Sequence, residues 1–237
     1  MKVVNPLQWK DYIFFCGLPT LLNYIACQLI IPLFETNSLL PIEVIYFISV
    51  GGIALIPMFI MSIFLSKNES TSNKIKAIFF RMRINKLSKK DWVYTIVTFI
   101  ILCTSSYLTA KIIMPKMGID AMPFFFKNMP LVSHNMWILY VWTLFFFFNI
   151  LGEEFLWRGY ILPRQELQLG KWAWFVQGIF WTFWHLPMGL DLILVSFPIF
   201  FILPAVAQLR QNTTIAILIH TVFGAFGFMA LAFGFVN

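Results

Sequence analysis

The sequence predicts an all-α fold, a polytopic bundle of about seven to eight transmembrane helices around an intramembrane cavity. Composition is the first reason. Apolar residues make up 60% of the chain and charged residues 11%, against about 45–50% and 25% in a soluble domain, so water is not the main solvent of this fold. The second is spacing: apolar runs long enough to cross a bilayer, about 20 residues at 1.5 Å each, recur from end to end. The third is the placement of charge, because 8 of the 17 basic residues fall between Lys67 and Lys90, separating two apolar runs. Together these give one membrane domain over residues 1–237.

Taken in order, the first apolar run follows Asp11 and continues with no small-residue cleavage site, which reads as a retained span and not a signal peptide. Spans are expected at 12–34, 41–65, 92–114, 137–157, 172–188, 192–208 and 213–235. The fifth and sixth are short for a bilayer, which suits tilted or partly submerged helices, and a split helix would raise the count to eight. Residues 1–136 form the N-terminal spans with a basic loop at 66–91, and residues 137–237 form the part that carries chemistry. Lys and Arg between spans hold a loop in the cytoplasm. That places Lys2, Lys10, Arg158, Arg164, Lys171 and Arg210 on the same side, so the N-terminus is cytoplasmic. Lys111, Lys116 and Lys127 are the exceptions on the outer side.

The net charge of +7 is thus explained by topology and contact with anionic lipid headgroups. The basic and aromatic interleaving of a nucleic-acid binder is missing, so no nucleic acid is expected as a partner. Cys16, Cys27 and Cys103 lie in apolar stretches without CxxC spacing, and read as packing residues, not as a disulfide framework or a thiolate metal site. Trp92, Trp137 and Trp172 stand at span edges, where interfacial aromatics gather. The Phe124–Phe126 and Phe145–Phe148 runs read as packing or lipid-facing residues.

The chemistry begins at Gly152-Glu153-Glu154-Phe155-Leu156-Trp157-Arg158-Gly159. An ionised side chain at membrane depth costs at least about 2.5 kcal/mol, so such groups face a cavity and find partners. On a helix Glu154 and Arg158 share a face, while Glu153 is turned roughly 100° away and stays outside that pair. The plain alternative is a solvated cluster in the headgroup zone. His185 and His220 each sit in an otherwise apolar helix. If the chain reverses near Gly170, Glu153 and His185 come to similar depth, and His220 approaches from the same side, giving a cavity that opens towards the cytoplasm. A carboxylate and two imidazoles in a dry cavity suit activation of water, directly or on a metal. His134, in the outer loop, and Asp191, expected as a helix N-cap, are left out of the site.

These residues resemble the CAAX prenyl protease and bacteriocin-processing (CPBP, or ABI) family of intramembrane proteases, over roughly Gly152 to the C-terminus. Glu153-Glu154-x-x-x-Arg158, followed by Gly159, Tyr160 and Leu162, is similar to the first motif, EExxxR. His185 matches the second, FxxxH, with Trp181 in place of Phe, a change expected to act through cavity packing. His220 matches the start of the third, HxxxN, with Gly224 in place of Asn. The resemblance implies an intramembrane endopeptidase acting on hydrophobic, lipidated or prenylated, membrane-bound peptides. It makes Glu153 the general base, His185 the residue orienting the water, Glu154 and Arg158 supports of that carboxylate, and His220 the stabiliser of the tetrahedral intermediate.

Gly224 removes a side chain that in the family helps hold the oxyanion; losing such a donor costs about 2.7–4 kcal/mol. Asn149, on the helical face of Glu153, is the candidate replacement. Cofactors stay open at this point: none, or a divalent metal such as zinc held by Glu153, His185 and His220 with an open fourth position. The lack of HExxH spacing favours the metal-free form. A second reading is a non-catalytic scaffold or regulator of a partner protein, supported by Gly224. A proton-coupled transporter would show repeated halves, and none is found. The expected location is a bacterial cytoplasmic membrane.

Overall fold

A computed structural model describes residues 4–70, 72–121, 123–126 and 135–234. In hydrocarbon every backbone N–H and C=O must be satisfied within the protein, which leaves helices as the outcome for apolar runs of this length. In chain order these are α1 (Trp9–Glu35), α2 (Ile42–Glu69), a short α3 (Ile75–Arg81), α4 (Lys89–Lys116), α5 (residues 137–169), α6 (Ala173–His185), α7 (Leu190–Arg210) and α8 (Thr213–Ala232). The apolar stretch Trp137–Met188 is continuous in composition, yet it is a hairpin: α5 stops at Gly170, whose φ of 54° no side chain favours, and α6 runs back. Every span expected from the sequence therefore has its helix, and among the described residues there is no further helix of membrane length.

Two boundaries differ from expectation. The sixth span is not short, because α7 starts at Leu190 and runs 21 residues. Asp191 is also not the N-cap. Gly189, at φ 110°, holds that position, and the Asp191 carboxylate accepts from the Leu192 N–H at 2.8 Å instead. Trp92, Trp137 and Trp172 are exposed at helix ends, as expected of interfacial residues. Lys2, Lys127, His134 and Phe235 lie outside the described residues.

Prolines shape these helices in a repeated way. Wide π-type turns occupy Ile13–Gly17, Ile25–Ile30, Gly51–Leu55, Thr109–Ile113 and Phe155–Ile161. Each ends two residues before a proline: Pro19, Pro32, Pro57, Pro115 and Pro163. A proline has no N–H to give and its ring collides with the carbonyl four residues back, so the preceding turn widens rather than breaks. Side chains also reach carbonyls of the last of these, Gln177 donating to Trp157 O and Arg164 to Tyr160 O.

Helices approach closely where side chains are absent. A Cβ on Gly152 would stand 2.7 Å from Leu55 O, so α5 and α2 touch backbone to backbone there. On Gly178 it would meet the Phe201 ring at 2.6 Å, which sets the α6–α7 contact.

The basic end of the bundle is tied by ion pairs. Arg81 binds Glu69 at 2.8 Å, and Arg164 binds the same carboxylate. Arg83 makes a bidentate pair with Glu166 at 2.7 and 2.9 Å. Arg210 meets Asp91 at 2.8 Å, while Asp91 and Ser88 form the capping box that starts α4. Part of the basic cluster thus folds inward to partners instead of lying as a free loop. Thr213 and Thr214 donate to Met82 O and Asn85 O at 2.7 and 2.8 Å, fixing the start of α8 to the same lattice.

Candidate active site

Three helices bring the acidic and histidine residues together. Glu153 and Glu154 close the regular part of α5, His185 ends α6, and His220 lies in the first half of α8. Glu153, Glu154 and Arg158 are essentially inaccessible, at 1%, 0% and 1% exposure, so the headgroup-zone alternative fails: these charges are inside the protein.

Trp181 is the hub. Its indole N–H donates to Glu153 Oε2 at 2.6 Å, its carbonyl oxygen accepts from His185 Nδ1 at 2.8 Å, and its ring face lies 3.5 Å from the Arg158 guanidinium carbon. The edges of the His185 and His220 rings meet the same indole at 5.6 and 5.7 Å between centroids. Replacing the usual Phe with Trp therefore does more than alter packing, since it adds a donor that phenylalanine lacks. Bulky aromatic character was legible in the sequence, but the direction of the indole N–H was not.

Each carboxylate has its own surroundings. Glu153 Oε1 accepts from Asn149 Nδ2 at 2.5 Å, one turn back on the same helix. Glu154 faces the other way: its Oε1 accepts from His220 Nδ1 at 2.8 Å and stands 3.4 Å from Arg158 Nη1. The i,i+4 pair of Glu154 and Arg158 is present as expected. The contact to His220 is the addition, and sequence spacing carries no trace of it. Because Nδ1 of each histidine bonds away from the cavity, Nε2 of both is left for whatever occupies it.

Glu153, His185 and His220 line one cavity of about 810 Å³. Asn149, Trp181 and Gly224 line it too. A Cβ on Gly224 would come 3.1 Å from the Phe146 ring, so Phe146 fills the space where the usual Asn side chain would start. Cys16 and Cys27 are buried packing residues, but Cys103 is exposed and lines this cavity, against the packing role expected.

Most of the described residues that line the cavity lie away from the basic end of the bundle. Its walls include Tyr107, Lys111, Pro115 and Asp120, from the end of α4 remote from Lys89 and the loop beyond it. The short α6 ends at His185, and the ion pairs tie the helices together at the basic end.

A metal does not suit these donors as they stand. Both Glu153 oxygens are engaged by N–H groups, His220 is turned to Glu154, and among the described residues no group of three or more His, Cys, Asp or Glu side chains is placed to hold an ion. The set Glu153, His185 and His220 is not arranged as a ligand triad, and no step below passes through a metal.

The fold and the site define an integral membrane protein with a buried carboxylate and histidine centre. Residues 135–226 match the family model described as type II CAAX prenyl endopeptidase Rce1-like. That match spans less than half of the chain and includes every residue of the site. No match was found among curated proteins or among solved structures. The family model agrees with the resemblance that the motifs carry.

Proposed function

We propose that this protein is an intramembrane endopeptidase that hydrolyses peptide bonds of hydrophobic, lipidated or membrane-bound peptides with a water activated by Glu153. The observation that carries the proposal is the convergence of Glu153, His185 and His220 around Trp181 on one cavity. The proposed setting is a bacterial cytoplasmic membrane, with the N-terminus in the cytoplasm.

Glu153 keeps a lone pair on each oxygen after its two hydrogen bonds, so it can accept a proton from a cavity water. His185, donating Nδ1–H to Trp181 O, presents Nε2 as an acceptor for the second hydrogen of that water and so aims its oxygen. Attack on the carbonyl carbon places negative charge on the peptide oxygen. His220, protonated on Nε2, donates to that oxygen, and Glu154 beneath Nδ1 balances the imidazolium charge. Asn149 Nδ2 is the second donor, in place of the side chain missing at Gly224. Collapse breaks the C–N bond, and the proton held by Glu153 passes to the departing amine.

The test is cleavage of membrane-embedded and prenylated reporter peptides by purified protein. Loss of cleavage in Glu153→Ala and His185→Ala, with Asn149→Ala slowed about 10²-fold and a chelator without effect, supports the proposal. Full activity of Glu153→Ala refutes it. A second reading, a non-catalytic scaffold or regulator of a partner, is favoured by Gly224 and by the Phe146 ring against it. Wild-type protein that cleaves no reporter but co-purifies with a membrane partner would favour that reading.

A further inference from the structure

Two amides on α1 touch the chain beside His185. Asn23 is fully buried in a mainly apolar span, where a side-chain amide without a partner is costly. Its Nδ2 donates to Trp184 O at 2.7 Å, across 161 positions of sequence, and its Oδ1 accepts from the Cys27 thiol at 3.5 Å. Gln28 Nε2 donates to Pro187 O at 2.7 Å. The two carbonyls stand on either side of His185. From α2, the Tyr46 hydroxyl donates to Met188 Sδ at 3.6 Å, which adds a third contact to the same short segment.

The end of α6 needs such partners. The last carbonyls of a helix have no N–H of their own helix to accept from, and Pro187 has none to give in the turn Leu186–Met188. Gly189, at φ 110°, then leads the chain into α7. His185 is the last residue of α6, so regular helix fixes its backbone from one side only. On the other side the contacts from α1 and α2 hold it.

The local form of α1 brings both amides to that segment. In a regular α-helix residues five apart differ in bearing by about 140°, so Asn23 and Gln28 would face different neighbours. The wide turn at Ile25–Ile30 covers most of the interval between them. With i→i+5 bonding, five residues come close to one full turn, and the two side chains reach carbonyls three residues apart.

We propose that Asn23 and Gln28 are positioning residues for His185, which makes the N-terminal helix part of the catalytic apparatus. Resting on the peptidase reading above, the amides hold the backbone on both sides of His185. Its Nδ1–H then stays on Trp181 O, and its Nε2 stays aimed at the cavity water. Neither amide is among the residues that line the cavity, so both act through His185 and not on the substrate.

Asn23→Leu and Gln28→Met remove the donors and keep most of the side-chain volume. Thr20→Val is the control, removing an α1 hydroxyl that bonds within its own helix to Cys16 O at 2.8 Å. Cleavage of the prenylated reporter peptide is measured beside the nitrogen NMR spectrum of purified protein labelled on histidine, with His185→Gln to assign the His185 signals. The inference expects the Nδ1–H tautomer at His185 in wild type. In both amide variants kcat falls about 10–100-fold at unchanged KM and the His185 signals shift or split, while Thr20→Val matches wild type. Unchanged kcat or unchanged His185 signals in a folded Asn23→Leu overturn it, and so does an equal fall in Thr20→Val. Should Asn23→Leu fail to accumulate, Gln28→Met, at a more exposed position, decides by the same two readouts. A wild-type protein that cleaves nothing counts against the peptidase reading, and the His185 spectra of the variants then decide the positioning role by themselves.

Discussion

Glu154→Gln isolates the charge under His220 with little change of shape. In the protein, Glu154 Oε1 accepts from His220 Nδ1 at 2.8 Å and faces Arg158 at 3.4 Å, with neither acidic nor guanidinium side chain exposed. The amide oxygen can still accept from Nδ1, but the bond changes from charge-assisted to neutral, from about 1.5–3 to about 0.5–1.5 kcal/mol. If that difference of roughly 1–1.5 kcal/mol is felt only when His220 carries its proton, kcat falls about 5–10-fold. Arg158 meanwhile loses its anion. Removing one member of a buried pair costs about 3–5 kcal/mol in soluble proteins, so the variant is also expected to lose thermal stability in detergent. A second substitution, Arg158→Met, separates the two effects: the double variant should regain much of the lost Tm while kcat stays low. Cleavage rate per folded molecule is measured on reporter peptides, beside a melting curve. A double variant with wild-type kcat would refute the role of Glu154 in balancing His220 and leave it a structural residue.

Three further outcomes follow from the same geometry. Trp181→Phe restores the usual residue of the motif yet removes the 2.6 Å donor to Glu153, so kcat should fall about 10-fold or more for a lost bond to a charged group; an unchanged rate would mean that the indole N–H is not used. Gly224→Asn should lower activity or stability by itself, because its Cβ meets the Phe146 ring at 3.1 Å. Combined with Phe146→Ala it should recover, and a fully active single variant would contradict the crowding. Gly152→Ala drives a Cβ to 2.7 Å from Leu55 O, and the forced shift of α5 from α2 should cost about 1–3 kcal/mol, visible as a lower Tm with Gly159→Ala as a milder control.

Much of the architecture was open to inspection in the sequence because membrane helices announce themselves by length and hydropathy, as α1, α2, α4 and α8 do. The Glu153, Glu154 and Arg158 spacing likewise carried its own geometry, since residues four apart on a helix must share a face. What escaped were contacts between helices. Nothing in the spacing of Glu154 and His220, sixty-six positions apart, reveals that they bond, and a tryptophan in an aromatic motif does not declare where its N–H points. The start of α7 escaped for a different reason: the apolar stretch on either side of Gly189 has no polar interval to show where that turn sits. The wide turns were legible only in part: each is followed by a proline, but Pro198 and Pro204 stand inside α7 without one.

The wide turn at Phe155–Ile161 acts on phase as well as on shape. In an α-helix each residue advances the face by about 100°, so the lateral bearing of α5 on either side of this turn depends on how many residues the turn contains. Upstream, Glu153 and Glu154 aim at the cavity and at His220; downstream, Arg164 and Glu166 aim at Glu69 and Arg83. The two sets keep their bearings together only with the turn at its present length. Chain length in this segment is therefore a coded quantity in its own right: deleting one residue would leave the chemical identity of both sets unchanged and put them out of step, so that the cavity contacts and the ion pairs at the basic end could not be assembled on the same helix.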